Sequence, residues 1–183
     1  KPKYNDFWSQ YIDMKQLRAE RGKYNGKDYS MMVLRKVILY PLEAGAKTIE
    51  PFKIDLDAEV PTGRRDWFGE YEMRVIEKSL STGTQTINVK PLPENGKPES
   101  FTGAVDKFDF KVIPSKTSLK AGESLDLEVS VSGKGNLKLF TLPKPVVPTA
   151  LEMYEPAHTE NVQTPLTGMV GKVSDKYTII PQF

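Results

Sequence analysis

Residues 124–132 read SLDLEVSVS, in which Leu125, Leu127, Val129 and Val131 alternate with Asp126, Glu128, Ser130 and Ser132. Successive side chains of a strand point to opposite faces, so this stretch predicts a strand with one side buried and one wet. A slip of one residue would carry the whole apolar row into water, and the register is therefore strongly specified.

The same period recurs on either side. In KFDFKV (107–112), Phe108, Phe110 and Val112 are predicted inward, with Asp109 and Lys111 outward. TINVK (86–90) turns Ile87 and Val89 inward, and FKIDLDA (52–58) sets Phe52, Ile54, Leu56 and Ala58 against Lys53, Asp55 and Asp57. YNGKD (24–28), LEAGAK (42–47), KAGES (120–124) and SGKGN (132–136) are the turn clusters expected between antiparallel strands. YSMMVLRKVILY (29–40) is apolar on both faces and interrupted by Arg35 and Lys36, which fits a bulged strand or one that changes neighbours midway. The only helical candidate is DMKQLRAERG (13–22), with Asp13 placed as an N-cap and Gly22 as a stop; its few apolar positions make a polar loop an equal reading. Short strands, frequent turns and almost no helix predict an all-β chain of immunoglobulin-like sandwiches.

Between the Val89 and Phe108 strands lies KPLPENGKPES (90–100). Pro91, Pro93 and Pro98 cannot donate to a ladder, and Asn95-Gly96 favours a turn. This segment is read as a proline-stiffened joint rather than a loop within one core. The expected organisation is a sandwich domain over residues 1–93, a linker over 94–105 and a second sandwich over 106–183. The first is expected to lack its opening strands and the second its final ones, leaving edges open to pairing between copies in a crystal.

A chain of 183 residues with 38% hydrophobic content suffices for one generous core or two small ones. Its 26 basic and 24 acidic side chains are interspersed, giving a net charge of +2 and no electrostatic reason to expect nucleic acid or an anionic membrane. The absence of cysteine excludes disulfides, thiolate metal sites and cysteine nucleophiles. No apolar run approaches the roughly 18 residues of a membrane span, and the sequence is read as a soluble piece of a longer chain whose targeting signals lie elsewhere.

A weak internal echo runs through the chain. KPKYNDFWSQYI near the start resembles LPKPVVPTALEMYEP at 142–156, and YSMMVLRKVILYP, ending at Pro41, resembles GMVGKVSDKYTIIP, ending at Pro181. The order and spacing suggest similar units cut out of phase.

Three segments carry a more specific likeness: LRKVILYPLEAGAKTIEPFKIDLDAEV (34–60), TINVKPLPENGKPESFTGAV (86–105) and FKVIPSKTSLKAGESLDLEVSVSGKGNLKLFTLPKP (110–145). In these the chain resembles the BatD family of bacterial aerotolerance (oxygen-tolerance) proteins. The resemblance implies tandem immunoglobulin-like domains in a periplasmic protein anchored to the inner membrane. It also implies partner Bat proteins bearing von Willebrand A or tetratricopeptide domains. It supplies no catalytic residue, metal ligand or cofactor to carry over.

The residues themselves point the same way. His158, the single histidine, sits in YEPAHTEN and is read as an exposed loop residue, since one histidine cannot build a two-histidine zinc site. Asp55 and Asp57 continue an outward row with Glu59 and lack the glycine-containing loop of a calcium site. Trp8, beside Phe7, is expected to plug a core. TGRRDWFGEYEMR (62–74) stands apart because Arg64, Arg65, Trp67, Phe68 and Tyr71 crowd one loop. Arg, Trp and Tyr are enriched at protein-interface hot spots, so these five are the candidate protein-interaction residues. Alternatives are aromatics tucked back over a sandwich end, or a stacking platform of a carbohydrate-binding or adhesin-type module. The expected function is a non-enzymatic interaction scaffold, without catalytic, metal or cofactor-binding residues.

Overall fold

The computed structural model of the chain describes residues 2–182. In chain order the strands are β1 (Phe7–Tyr11), β2 (Ala19–Tyr24), β3 (Lys27–Met32), β4 (Val37–Pro41), β5 (Gly45–Ile49), β6 (Lys53–Arg65) and β7 (Tyr71–Ser81). They continue with β8 (Gln85–Val89), β9 (Asp106–Pro114), β10 (Leu125–Gly135), β11 (Leu151–Met153), β12 (Ala157–Gln163) and β13 (Val170–Pro181). No helix occurs among the described residues, and the chain is all-β.

Contacts divide the chain into two units. One comprises the segment ending at Ser9 together with Leu39–Leu92; the other comprises Gln10–Ile38 and the chain from Pro93 onward.

In the first unit β5 pairs with β8, and β6 with β7, both antiparallel. The inner row of β6, Ile54, Leu56, Ala58 and Val60, is half-buried, and its outer row of Lys53, Asp55, Asp57 and Glu59 is exposed, as the alternation predicts. Among described residues of this unit Phe7 is the buried hydrophobic. Trp8 stays half-buried, its ring edge-on to Tyr40 at 5.9 Å. The residue that fills the interior is thus Phe7, one position earlier than expected.

β1 pairs with β4, and the ladder is continued past its ends by Leu42 N–H donating to Asp6 at 3.1 Å and Ile12 N–H donating to Lys36 at 3.0 Å. Residues 29–40 do change neighbours midway: β3 pairs with β2, residues 33–36 belong to no strand, and β4 turns to β1. Of the two readings of residues 13–22, the helix is absent. Residues 13–18 are irregular and Ala19–Tyr24 is a strand, because Asn25-Gly26 folds it back onto Lys27–Met32 as a tight hairpin. Paired main-chain hydrogen bonds supply what the sparse apolar positions of a lone helix could not.

In the second unit one five-stranded sheet runs β11 and β12 against β13, then β10, then β9. The predicted row of β10 faces the core, with Val129 1% and Val131 6% exposed. Val173, Tyr177 and Ile179 of β13 join it, and Leu137, Phe140, Leu142 and Val147, from the chain between β10 and β11, cover them. Each such apolar side chain contributes about 1.5–3 kcal/mol on burial. Every member of this cluster lies at or beyond residue 108. On the wet face Lys176 bonds Asp126 at 2.7 Å and Lys172 bonds Glu128, both across the β10–β13 pair.

The proline-rich stretch forms no strand. The residues that follow it are tied down within the second unit: Asn136 Nδ2 donates to the Gly103 carbonyl at 2.7 Å, and Val105 N–H donates to Asn136 Oδ1 at 2.8 Å.

Candidate interaction site

The β6–β7 hairpin brings the five singled-out residues to one end. Pairing runs regularly from Lys53↔Ser81 to Pro61↔Met73, then shifts so that the next pair is Arg65↔Tyr71. Residues 62–64 therefore oppose Glu72 alone, a bulge that bends the strand and re-aims the hairpin tip. Thr62 Oγ1 donates to Glu72 Oε2 at 3.2 Å, and Arg64 N–H donates to Thr62 Oγ1 at 3.3 Å.

Beyond the bulge the tip is pinned by its own polar groups. Asp66 N–H donates to the Glu70 carbonyl at 2.8 Å and Gly69 N–H to the Asp66 carbonyl at 3.1 Å, closing a three-residue loop of Trp67, Phe68 and Gly69. Gly69 has φ 83°, the left-handed conformation that such a loop requires at its last position. Asp66 Oδ1 accepts from both Phe68 N–H and Glu70 N–H at 2.9 Å, in the manner of an Asx turn. Arg65 Nη1 donates to the Gly69 carbonyl at 2.8 Å, and Nη2 donates to the Tyr71 hydroxyl at 2.9 Å, with the guanidinium carbon 4.2 Å from the Tyr71 ring centroid.

Trp67 and Phe68 consequently project from an ordered loop at 96% and 87% exposure. They do not fold back over the unit. The structure brings Arg65, Tyr71 and the two aromatics together; Arg64 lies on the bulge with its side chain exposed. Asp66, the residue that organises the loop, was not singled out from the sequence, although the spacing Asp-x-x-Gly in DWFG is the signal for it.

A second polar group lies in the other unit. His158 is on β12 rather than in a loop, directly opposite Asp175 of β13, and its Nδ1–H donates to Asp175 Oδ1 at 2.6 Å. Asp175 belongs to the core-facing row between Val173 and Tyr177 and is 9% exposed. A hollow of about 200 Å³ beside them is lined by Leu137, Phe140 and Leu142. Its other charged groups, Lys138 and Glu160, pair with each other at 2.7 Å. Burial holds the nearby Tyr177 hydroxyl above the usual tyrosine range. Among the described residues no group of three or more His, Asp or Glu side chains is arranged to hold a metal. Asp55 is occupied by the Ser79 hydroxyl, and Asp57 faces Glu77 across the hairpin.

This is the structure of an all-β, immunoglobulin-like protein displaying an aromatic hairpin tip. Residues 111–183 match the family model described as the BatD DUF11 like domain, the family that the sequence resembles. No curated protein and no solved structure gives a match. The BatD match covers β10 to β13 and the end of β9, and so takes in most of the five-stranded sheet's core.

Proposed function

We propose that the chain is part of a non-enzymatic periplasmic interaction scaffold of BatD type, held at the inner membrane, whose β6–β7 tip docks a protein partner. The observation carrying this reading is the combination of near-complete exposure of Trp67 and Phe68 with a loop pinned by its own hydrogen bonds, through the amides of Asp66, Phe68, Gly69 and Glu70. A loop ordered before binding loses little conformational freedom on docking, and two aromatic anchors bury large area with few rotors. The BatD-like match makes a Bat protein with a von Willebrand A or tetratricopeptide domain the first partner to try. The Arg65 guanidinium already covers a face of Tyr71, which leaves less of an open stacking platform for a sugar.

The test is binding of the purified, full-length protein to a purified von Willebrand A-domain Bat protein, with Trp67→Ala, Phe68→Ala and Arg65→Ala compared to wild type. Loss of about tenfold or more in affinity for Trp67→Ala, with an unchanged unfolding midpoint, is expected. Equal binding by all variants overturns the docking role of the tip. Quenching of tryptophan fluorescence by a glycan, abolished in Trp67→Ala, would instead establish a carbohydrate-binding module.

A further inference from the structure

β9 is the end strand of the five-stranded sheet, paired with β10 along one edge only. Three features show which of its groups face outward. Ser115 N–H donates to the carbonyl of Asp126, the residue opposite it in register, at 2.7 Å. On the far side of β10, Gly135 N–H donates to Met169 at 3.1 Å, so odd-numbered residues of β10 serve β13 and even-numbered ones serve β9. Pro114, which has no N–H to give, sits in β9 opposite Leu127, where no donor toward β10 is needed. Lys107, Asp109, Lys111 and Ile113 therefore aim their main-chain groups at β10, while those of Phe108, Phe110 and Val112 aim at the free edge.

The side chains of that edge are as telling as its backbone. Phe110 is 53% and Val112 48% exposed although both lie on the sheet's core face, where Phe108 is covered by Phe140 at 5.5 Å between ring centroids. The sequence around Phe110 has two-fold character: KFDFKVI runs Lys107, Phe108, Asp109, Phe110, Lys111, Val112, Ile113. Laid antiparallel against a second copy with Phe110 opposite Phe110, it sets Phe108 opposite Val112 and Asp109 opposite Lys111, each of these pairs twice. The exposed apolar row then meets its own kind, and on the wet face each Asp109 meets a Lys111.

We propose that β9 pairs with β9 of a second copy of this chain, antiparallel about a two-fold axis at Phe110, joining two five-stranded sheets through the free main-chain groups of Phe108, Phe110 and Val112. An isologous contact of this kind closes on itself and uses up the edge. Charge complementarity selects the register: centring one residue later, on Lys111, puts Asp109 opposite Ile113 and Lys111 opposite itself.

The test is sedimentation velocity of the 183-residue chain over a concentration series. Asp109→Lys and Lys111→Asp each place like charges in both reciprocal pairs and are expected to weaken self-association by at least about tenfold, while the double swap restores it. Val112→Pro removes a free-edge N–H without touching the β10 ladder and is expected to give a folded monomer. Because the chain has no cysteine, Phe110→Cys reports the axis directly. Opposed residues of a hydrogen-bonded pair lie about 5.5 Å apart between Cα atoms, within disulfide reach, whereas the two thiols of an Ile113→Cys dimer would be about 20 Å apart. Oxidation should cross-link the Phe110→Cys variant and leave the Ile113→Cys variant unlinked. A wild-type monomer at every concentration, dimerisation untouched by Val112→Pro, or no rescue by the double charge swap overturns the proposal.

Discussion

His158 donates through Nδ1–H to Asp175 across the β12–β13 ladder, so a carboxylate in a core-facing row is satisfied by a side chain that stands mostly in water. The two partners are therefore unequal. Removing the histidine strands a buried acceptor, whereas removing the aspartate leaves a histidine that water can solvate.

His158→Ala is accordingly expected to cost about 1–3 kcal/mol, while Asp175→Val, which continues the apolar row, costs little or stabilises. Urea unfolding of both variants checks the order. Equal losses would show that the pair is not asymmetric in this way.

Trp67→Ala is expected to change stability by no more than about 0.5 kcal/mol, since the indole touches little besides solvent. Leu137→Ala, at a side chain 2% exposed within the core cluster, is expected to cost about 2–5 kcal/mol. Chemical denaturation of the two variants separates display from packing.

The response to pH has a definite sign. The Lys176 hydrogen bond and charge hold Asp126 below the ordinary aspartate range, and Asp126 in turn holds Lys176 above the lysine range. The aspartate's contribution is present above its unfolded value of about 3.9 and is lost as pH falls through the lower folded value. The lysine's contribution, and that of Tyr177, is complete below their unfolded values of about 10 and is lost as pH rises through the higher folded ones. Lys176→Met should therefore soften both the acid and alkaline declines, and Tyr177→Phe the alkaline one alone, in unfolding followed from about pH 2 to 11.

Gly171→Ala should open the β12–β13 ladder. Gly171 has φ 154°, and a Cβ there would fall on the Asn161 carbonyl oxygen and 2.8 Å from Val162 Cα, main-chain atoms that cannot swing aside. A loss of about 1–3 kcal/mol is expected. Faster amide exchange should be confined largely to β12, and unchanged protection at Asn161 and Gln163, the flanking residues whose amides face β13, would refute the close approach.

The sheet of the second unit was legible from residues 124–132 because the alternation there is unbroken and one face is buried, conditions under which only one register is tolerable. Residues 13–22 misled because a strand's partner is not written in its own sequence: Ala19–Tyr24 is stabilised by Lys27–Met32, and local capping signals say nothing of that pairing. The Arg/Trp loop was legible as composition but not as conformation. Its order depends on Asp66 reaching two amides and Arg65 reaching Gly69 and Tyr71, contacts made through space. Asp175 was missed for the same reason, since a lone carboxylate in an apolar row makes sense only once His158 is seen opposite it. The echo between the two ends has a physical counterpart: Gln182 N–H donates to Ala150 at 2.7 Å and Tyr154 N–H to Thr178 at 3.0 Å, just as Leu42 serves Asp6 and Ile12 serves Lys36. Each pair of similar segments forms a short ladder whose second strand ends at a proline, Pro41 in one and Pro181 in the other.

The chain holds two tryptophans, and their surroundings differ sharply: Trp67 is almost wholly in solvent, and Trp8 leans on Tyr40. The hairpin tip is thus its own optical label. Red-edge emission and iodide quenching isolate it from the other indole, so its occupancy by a partner can be followed in the native chain without attaching a dye.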